Sequence, residues 1–309
     1  MSTVIQSNKK YTGSKALPNI IDSLTTTAQK IEYLKKTYAS VNGDSAYITS
    51  ANADSIFAKL KSHRERVIAD GGIVLSNAMT LRAIIFAVKN SLTASVFSAV
   101  SVEFGIKTSG GAVLKVYDLS GRDLEPVDVS FGKSEDGNLI VLKNTSGTGT
   151  GMLTKTSLTA GSGMIVGMSS NDVNTDAASY VRNTVYQNTA GTGNAFSIVE
   201  NNNGNIGRLS YINVAGGFGY ASFDQVGSAY KKYSGIVGLI IPTGGYIFEN
   251  GLQKGVQILA PKNNAGLAAY PAVVSNSANS FINESWVIVS ESRPLAVDLS
   301  IHLNKSVFN

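Results

Sequence analysis

Ile236-Val237-Gly238-Leu239-Ile240-Ile241-Pro242-Thr243-Gly244-Gly245-Tyr246-Ile247-Phe248-Glu249-Asn250-Gly251-Leu252 is the stretch on which the fold is read. Ile236 to Ile241 is a short apolar run rich in β-branched residues and reads as one strand. Pro242-Thr243-Gly244-Gly245 reads as a turn. Tyr246 and Phe248 then alternate with Ile247 and Glu249, the period of two that a strand requires. Asn250-Gly251 supplies the two positive-φ positions of a type I′ hairpin, and the next strand begins at once.

The same pattern recurs from about residue 95 onward. Ala112 to Tyr117, Leu139 to Leu142, Met164 to Met168, Phe196 to Val199 and Trp286 to Val289 are short apolar runs separated by glycine turns. Many strands at short spacing predict an antiparallel sandwich, whereas parallel units would need a helix between strands. Thr145 to Gly151 is low-complexity and fits a loop. No repeat of 20–50 residues is evident, which argues against a propeller or solenoid.

Upstream the periodicity is helical. Asp22 or Ser23 is placed to cap a helix running to about Tyr38, with Ile31, Leu34 and Tyr38 on one face. Asn42-Gly43-Asp44 breaks it. Asp54 is expected to cap a second helix, stopped by Gly71-Gly72, and Ser76 a third containing Met79, Ile84, Phe86 and Val88. The expected fold is mainly β: an antiparallel β-sandwich of jelly-roll, concanavalin-like form, preceded by a small helical N-terminal region. Residues 1–65 are expected to be an extended and helical attachment region. Residues 66–309 would form the sandwich domain, with a helical lead-in at 66–92.

Composition agrees with this. Charged residues are 15%, against about 25% in ordinary globular chains, while 31 glycines and 26 asparagines favour tight turns. Residues 1–70 hold 10 Lys/Arg and 6 Asp/Glu, and residues 71–309 hold 16 and 15, so the net charge of +5 sits largely at the N-terminal end. There is no basic stripe interleaved with aromatics, so no nucleic-acid partner is expected. The basic segment reads as an appendage that docks to another protein. Absence of cysteine excludes disulfides, zinc-thiolate sites and thiol catalysis. Neither an apolar signal core nor a run of about 20 apolar residues is present, so synthesis in a cytoplasm without membrane insertion is expected.

Three stretches carry a family resemblance. Arg66-Val67-Ile68-Ala69-Asp70-Gly71-Gly72 resembles the segment that precedes lectin-like domains in bacteriophage tail proteins. Val116-Tyr117-Asp118-Leu119-Ser120-Gly121-Arg122-Asp123-Leu124 resembles the turn in that group where a Tyr-Asp pair runs into Ser-Gly. The Ile236–Leu252 hairpin is similar to those of laminin-G and concanavalin A-like domains. The ending also fits, with a strand from Ser285 to Ser290 and a helical tail from Leu295 to Phe308. The resemblance covers residues 66–309. It implies a phage virion structural protein of tail, collar or capsid, with an outward lectin-like domain for adhesion to host-surface glycans. It also implies virion localisation, contacts with other virion proteins through the N-terminal region, and a homo-oligomer, with a trimer as first expectation. A purely structural or decorating subunit without ligand is the alternative, and a glycan hydrolase the second.

Sugar binding needs an aromatic face and planar polar groups beside it. Tyr180, Arg182, Tyr186, Asn201, Asn202, Asn203, Tyr211 and Tyr220 supply such groups from asparagine- and glycine-rich segments. The same residues also read as turn formers and sandwich tyrosines. Asp172, Asn174 and Asp176 cluster oxygen ligands suited to calcium, without the closing glutamate of an EF-hand; no other cofactor is expected. Trp286 reads as core. His63 and His302 lie near no nucleophile motif, and no phosphate-binding loop or zinc-hydrolase motif occurs. The chain is therefore expected to be non-enzymatic.

Overall fold

The computed structural model describes residues 20–110, 112–126, 131–136, 139–144, 151–172, 180–187, 195–202, 206–224, 235–275 and 280–305. Among these, two antiparallel sheets stack on each other and helices cover one of them. The fold is thus the mainly-β antiparallel sandwich with a small helical N-terminal region that the strand pattern predicts.

The six-stranded sheet runs in the order β1 (Phe97–Val100), β18 (Ser280–Ile288), β9 (Met164–Asp172), β14 (Gly235–Ile241), β15 (Gly244–Glu249) and β16 (Leu252–Gln257). The larger sheet runs β13 (Phe218–Asp224), β12 (Ile206–Ile212), β11 (Ala195–Asn202), β10 (Tyr180–Tyr186), β17 (Ala268–Ser275), β7 (Gly151–Thr154), β4 (Leu124–Pro126), β3 (Ala112–Val116), β5 (Phe131–Asp136) and β6 (Leu139–Asn144). Two further strands join it, β2 (Ile106–Ser109) on β3 and β8 (Leu158–Thr159) on β17.

The hairpin behaves as its sequence dictates. Glu249 pairs with Leu252 across a two-residue loop, in which Asn250 has φ 49° and Gly251 φ 80°. Both central residues are left-handed, as a type I′ turn demands. Ile241 pairs with Gly244 across Pro242-Thr243, so that turn is shorter than the four residues read as a turn.

Strand alternation splits the six-stranded sheet between two cores. Val166, Ile236, Ile240, Ile247 and Val287 face the larger sheet and pack with Val185, Leu209, Tyr211 and Val273. Ile165, Val237, Leu239, Phe248, Trp286 and Ile288 face the helices. Burial on both faces explains why β14 reads as continuously apolar rather than alternating.

The helices are α1 (Ile20–Ser23), α2 (Thr27–Ala39), α3 (Ala53–Ala69), α4 (Asn77–Lys89) and α5 (Arg293–Lys305). Thr26, not Asp22 or Ser23, caps α2, with Gln29 completing a capping box. Asp54 is not a cap either. It sits inside the first turn of α3 and accepts from Lys30 Nζ and Thr27 Oγ1, each at 2.8 Å, tying α3 to α2. Ser76 does cap α4, through Met79 N, and Gly71, at φ 78°, ends α3. Residues 65 and 66 are consecutive within α3, and α2, α3 and α4 share one hydrophobic cluster with the six-stranded sheet.

A buried polar group binds this helical layer to the sheet. Glu284 of β18 is 2% exposed and accepts from Trp286 Nε1 at 2.6 Å. His302 Nε2 of α5 lies 2.8 Å from the same carboxylate oxygen. Arg82 of α4 places Nη1 3.9 Å from the other oxygen and donates Nη2 to the His302 carbonyl. Burial alone would raise the Glu284 pKa, but His302, Arg82 and Trp286 together hold it below the usual glutamate range. Trp286, the protein's one tryptophan, is fully buried against Phe86 and Phe97, as the sequence predicts.

The first two resemblance stretches meet in space. Asp70 accepts from Lys115 Nζ and Tyr117 Oη at 2.8 Å and from Lys107 Nζ at 3.2 Å. These donors hold its carboxyl far below the usual range. Gly72 lies flat on the Tyr117 ring, where a Cβ would stand 2.4 Å from a ring carbon. Asp118, wholly buried, accepts from Ala99 N at 2.8 Å, from the Ser98 and Ser120 hydroxyls, and from the Ser120 and Arg122 amides.

Candidate functional site

β13 is an edge strand in which Phe218-Gly219-Tyr220-Ala221 alternates large and small residues. The period of two sends Gly219 and Ala221 inward and both rings outward. Phe218 is 50% and Tyr220 45% exposed, with ring centroids 6.0 Å apart at 31°. Arg208 of the neighbouring strand β12 places its guanidinium 5.3 Å from the Tyr220 ring centre. Gln257, at the end of β16, donates Nε2 to the Tyr220 carbonyl at 3.4 Å. An exposed aromatic pair on rigid strands, flanked by a guanidinium and a carboxamide, can stack on an apolar ring face and hydrogen-bond to groups at its rim.

The register places the other residues that the sequence singles out. Arg182 stands opposite Glu200, which stands opposite Arg208, so one cross-strand row of β10, β11 and β12 contains both arginine positions. Arg182 and Tyr186 are half-buried. Tyr180 pairs with Asn202 and Val181 with Asn201 in the backbone ladder. Tyr211 points the other way, into the core, and is not presented to a ligand. Its hydroxyl donates to the Leu259 carbonyl at 2.6 Å, pinning the segment after β16, and burial raises its pKa. Asn203 lies outside the described residues. So do Asn174 and Asp176, while Asp172 ends β9. Among the described residues no cluster of three or more acidic or histidine side chains is arranged to hold a metal ion. Nor is any described helix long and apolar enough to cross a membrane.

Phe218, Arg208 and Gln257 are the members of this face that sequence reading missed. The signal for Phe218 was available, because an aromatic–Gly–aromatic–Ala alternation puts both rings on one side of a strand. Arg208 carries no such signal, since only the β12–β13 register brings it to Tyr220.

No protein-family model matches the sequence, and no curated protein sequence does. Similar solved structures include a Trypanosoma rangeli sialidase, at 9% identity and a TM-score of 0.45 over 70% of this chain and 33% of that one. The receptor binding domain of botulinum neurotoxin D is similar at 12% identity and a TM-score of 0.46, over 70% of this chain and 54% of that one. A botulinum neurotoxin serotype D ligand binding domain, solved with N-acetylneuraminic acid, is similar at 11% identity and 0.45, over 71% and 52%. The chain thus spans about a third of the sialidase and about half of the toxin domains. The expectation of a non-enzymatic protein is not kept. The similar structures include an enzyme, the sialidase, beside binding domains, so a non-catalytic class does not follow from this architecture.

Proposed function

We propose that this chain is a bacteriophage virion protein whose sandwich faces outward and adheres to glycans of the host surface. The observation that carries the reading is the Phe218–Tyr220 pair beside the Arg208 guanidinium. Leaving two aromatic rings half in water forgoes burial worth roughly 1–2 kcal/mol each, a cost that a ligand surface offsets. Strands hold the rings in place, so little ordering entropy is lost on binding. The resemblance of residues 66–72 and 116–124 to phage tail proteins with lectin-like domains supports the particle setting, and that of the 236–252 hairpin to laminin-G and concanavalin A-like domains supports the lectin-like one. In this proposal the basic N-terminal region contacts other virion proteins, copies of the chain associate as a homo-oligomer, and Asp172, Asn174 and Asp176 supply oxygen ligands to a calcium ion.

The reading is tested by binding purified protein to host cells and to a glycan array, in parallel with Phe218→Ala and Tyr220→Ala. Wild type is expected to bind a defined set of glycans, and each variant to lose about tenfold or more in affinity. Reducing-sugar release from the same polysaccharide separates cleavage from adhesion. Silence of the wild type on both host cells and array overturns the adhesion reading, as does unchanged binding by both variants.

A further inference from the structure

A cavity of about 510 Å³ opens between α3, α4 and the turn at Leu119–Gly121, remote in sequence from the aromatic edge. That volume falls within the roughly 300–1,000 Å³ range of small-molecule sites. Its two sides differ in chemistry. Ile84 and Ala87 of α4, Phe97 of β1 and Leu119 form an apolar wall continuous with the hydrophobic cluster behind it. Ser55, Lys59, Ser62 and Arg66 of α3 border the other side. At 3.6 residues per turn their spacing puts all four on one stripe of the helix, about 16 Å long.

The charge on the α3 side has one sign. Among the described residues no carboxylate lines the cavity, while Lys59 and Arg66 both do. Arg66 is already engaged, because its guanidinium serves Asp123 and the Asp118 carbonyl. Lys59 is exposed and makes no ion pair or hydrogen bond among the described residues, and the same holds for the Ser55 and Ser62 hydroxyls. Ser120 Oγ, on the turn, is taken by Asp118 and Arg122. His63 offers nothing to a ligand, since its Nε2 is held at the Phe104 carbonyl and its Nδ1 is buried. What remains is one ammonium and two hydroxyls in water, facing an apolar wall.

We propose that this cavity binds an acyl carboxylate of medium chain length, its chain on Ile84, Ala87, Phe97 and Leu119 and its carboxylate at the rim with Lys59 and the α3 serines. Chain burial drives binding. The exposed rim leaves the carboxylate partly hydrated, so its charge is not carried into the apolar wall at the usual cost. The Lys59 ammonium selects the sign of the head group. The proposal is independent of the glycan reading: it uses other residues and a ligand that is mostly apolar.

The test titrates the full chain by calorimetry at low ionic strength with octanoate and with octylammonium, which carry similar apolar bodies and heads of opposite charge. Octanoate is expected to bind saturably and at least about fivefold more tightly than octylammonium. Lys59→Glu, at an exposed position, should fold as the wild type does and lower the ratio of octanoate to octylammonium affinity by at least about fivefold. Ala58→Trp, which borders the cavity on the exposed side of α3, should leave the melting temperature unchanged and weaken octanoate by at least about fivefold. The first variant tests the head and the second the body of the ligand. A smaller difference in any of these three comparisons overturns the proposal, as does the absence of saturable octanoate binding.

Discussion

Arg66 Nη1 stands 2.8 and 2.7 Å from the two carboxylate oxygens of Asp123, while its Nη2 donates to the Asp118 carbonyl at 2.6 Å. Arg66 belongs to the last turn of α3 and Asp123 to the loop leading into β4. The pair therefore joins the helical layer to the sandwich, beside the contacts that Asp70 makes with Lys107, Lys115 and Tyr117. Its planar fork serves two acceptors at once, which an ammonium cannot reproduce.

Arg66→Ala should destabilise the protein by about 1–2 kcal/mol, and Arg66→Lys should recover less than half of that loss. A double-mutant cycle with Asp123→Ala, measured by urea unfolding, should give a coupling of about 0.5–2 kcal/mol. Additive losses would mean that the two side chains do not act as a pair.

The hairpin turn constrains residue type at two successive positions. Gly251→Val meets both a left-handed backbone and the Ile301 side chain, which lies 3.1 Å from where a Cβ would stand, and should cost about 2 kcal/mol or more. Asn250→Gly keeps the turn and should change stability by no more than about 0.5 kcal/mol. Thermal melts of the two variants check the contrast, and equal effects would contradict the turn assignment.

Glu284 is enclosed by Arg82, His302 and Trp286. Glu284→Leu leaves the Arg82 charge buried without its counter-ion and should cost about 3–5 kcal/mol. Trp286 emission should shift as well, because its indole N–H loses its acceptor. Full stability in this variant would show that the charges do not matter to the packing of α4 and α5 on β18.

Acid should weaken the fold through His63. Its folded pKa is pushed down to about 4, below the unfolded value of 6.5, so the unfolded chain binds a proton first as pH falls. The contribution is intact above pH 6.5 and lost by about pH 4, on the order of 3 kcal/mol. Asp118 works in the opposite sense: burial pushes it up to about 6, so the folded carboxyl binds a proton before the unfolded one and returns part of that loss between about pH 6 and 4. His63→Gln does not titrate and should lose less stability than wild type between pH 7 and 4.5. Equal losses in the two proteins, followed by urea unfolding, would contradict a buried neutral His63.

What the sequence by itself determined is local. Alternation and turn chemistry specify strands and their hairpins: Tyr246, Phe248 and Asn250-Gly251 leave little freedom, and Ser76 and Gly71 mark helix ends for backbone reasons alone. The Phe218-Gly219-Tyr220 alternation likewise held half of the candidate site in plain view. Tertiary structure decided everything that depends on which strands become neighbours. The Thr26–Gln29 capping box was a local signal that the reading at Asp22 or Ser23 passed over, whereas Asp54 is drawn to Lys30 only by the packing of α3 on α2. Tyr211 and Tyr220 look alike in sequence, yet an odd separation puts one in the core and the other in water. Arg208 reaches Tyr220 only through the β12–β13 register, and Arg66 reaches Asp123 only through a contact between segments distant along the chain. Charge pairs and cavities of this kind arise from packing, and no local pattern encodes them.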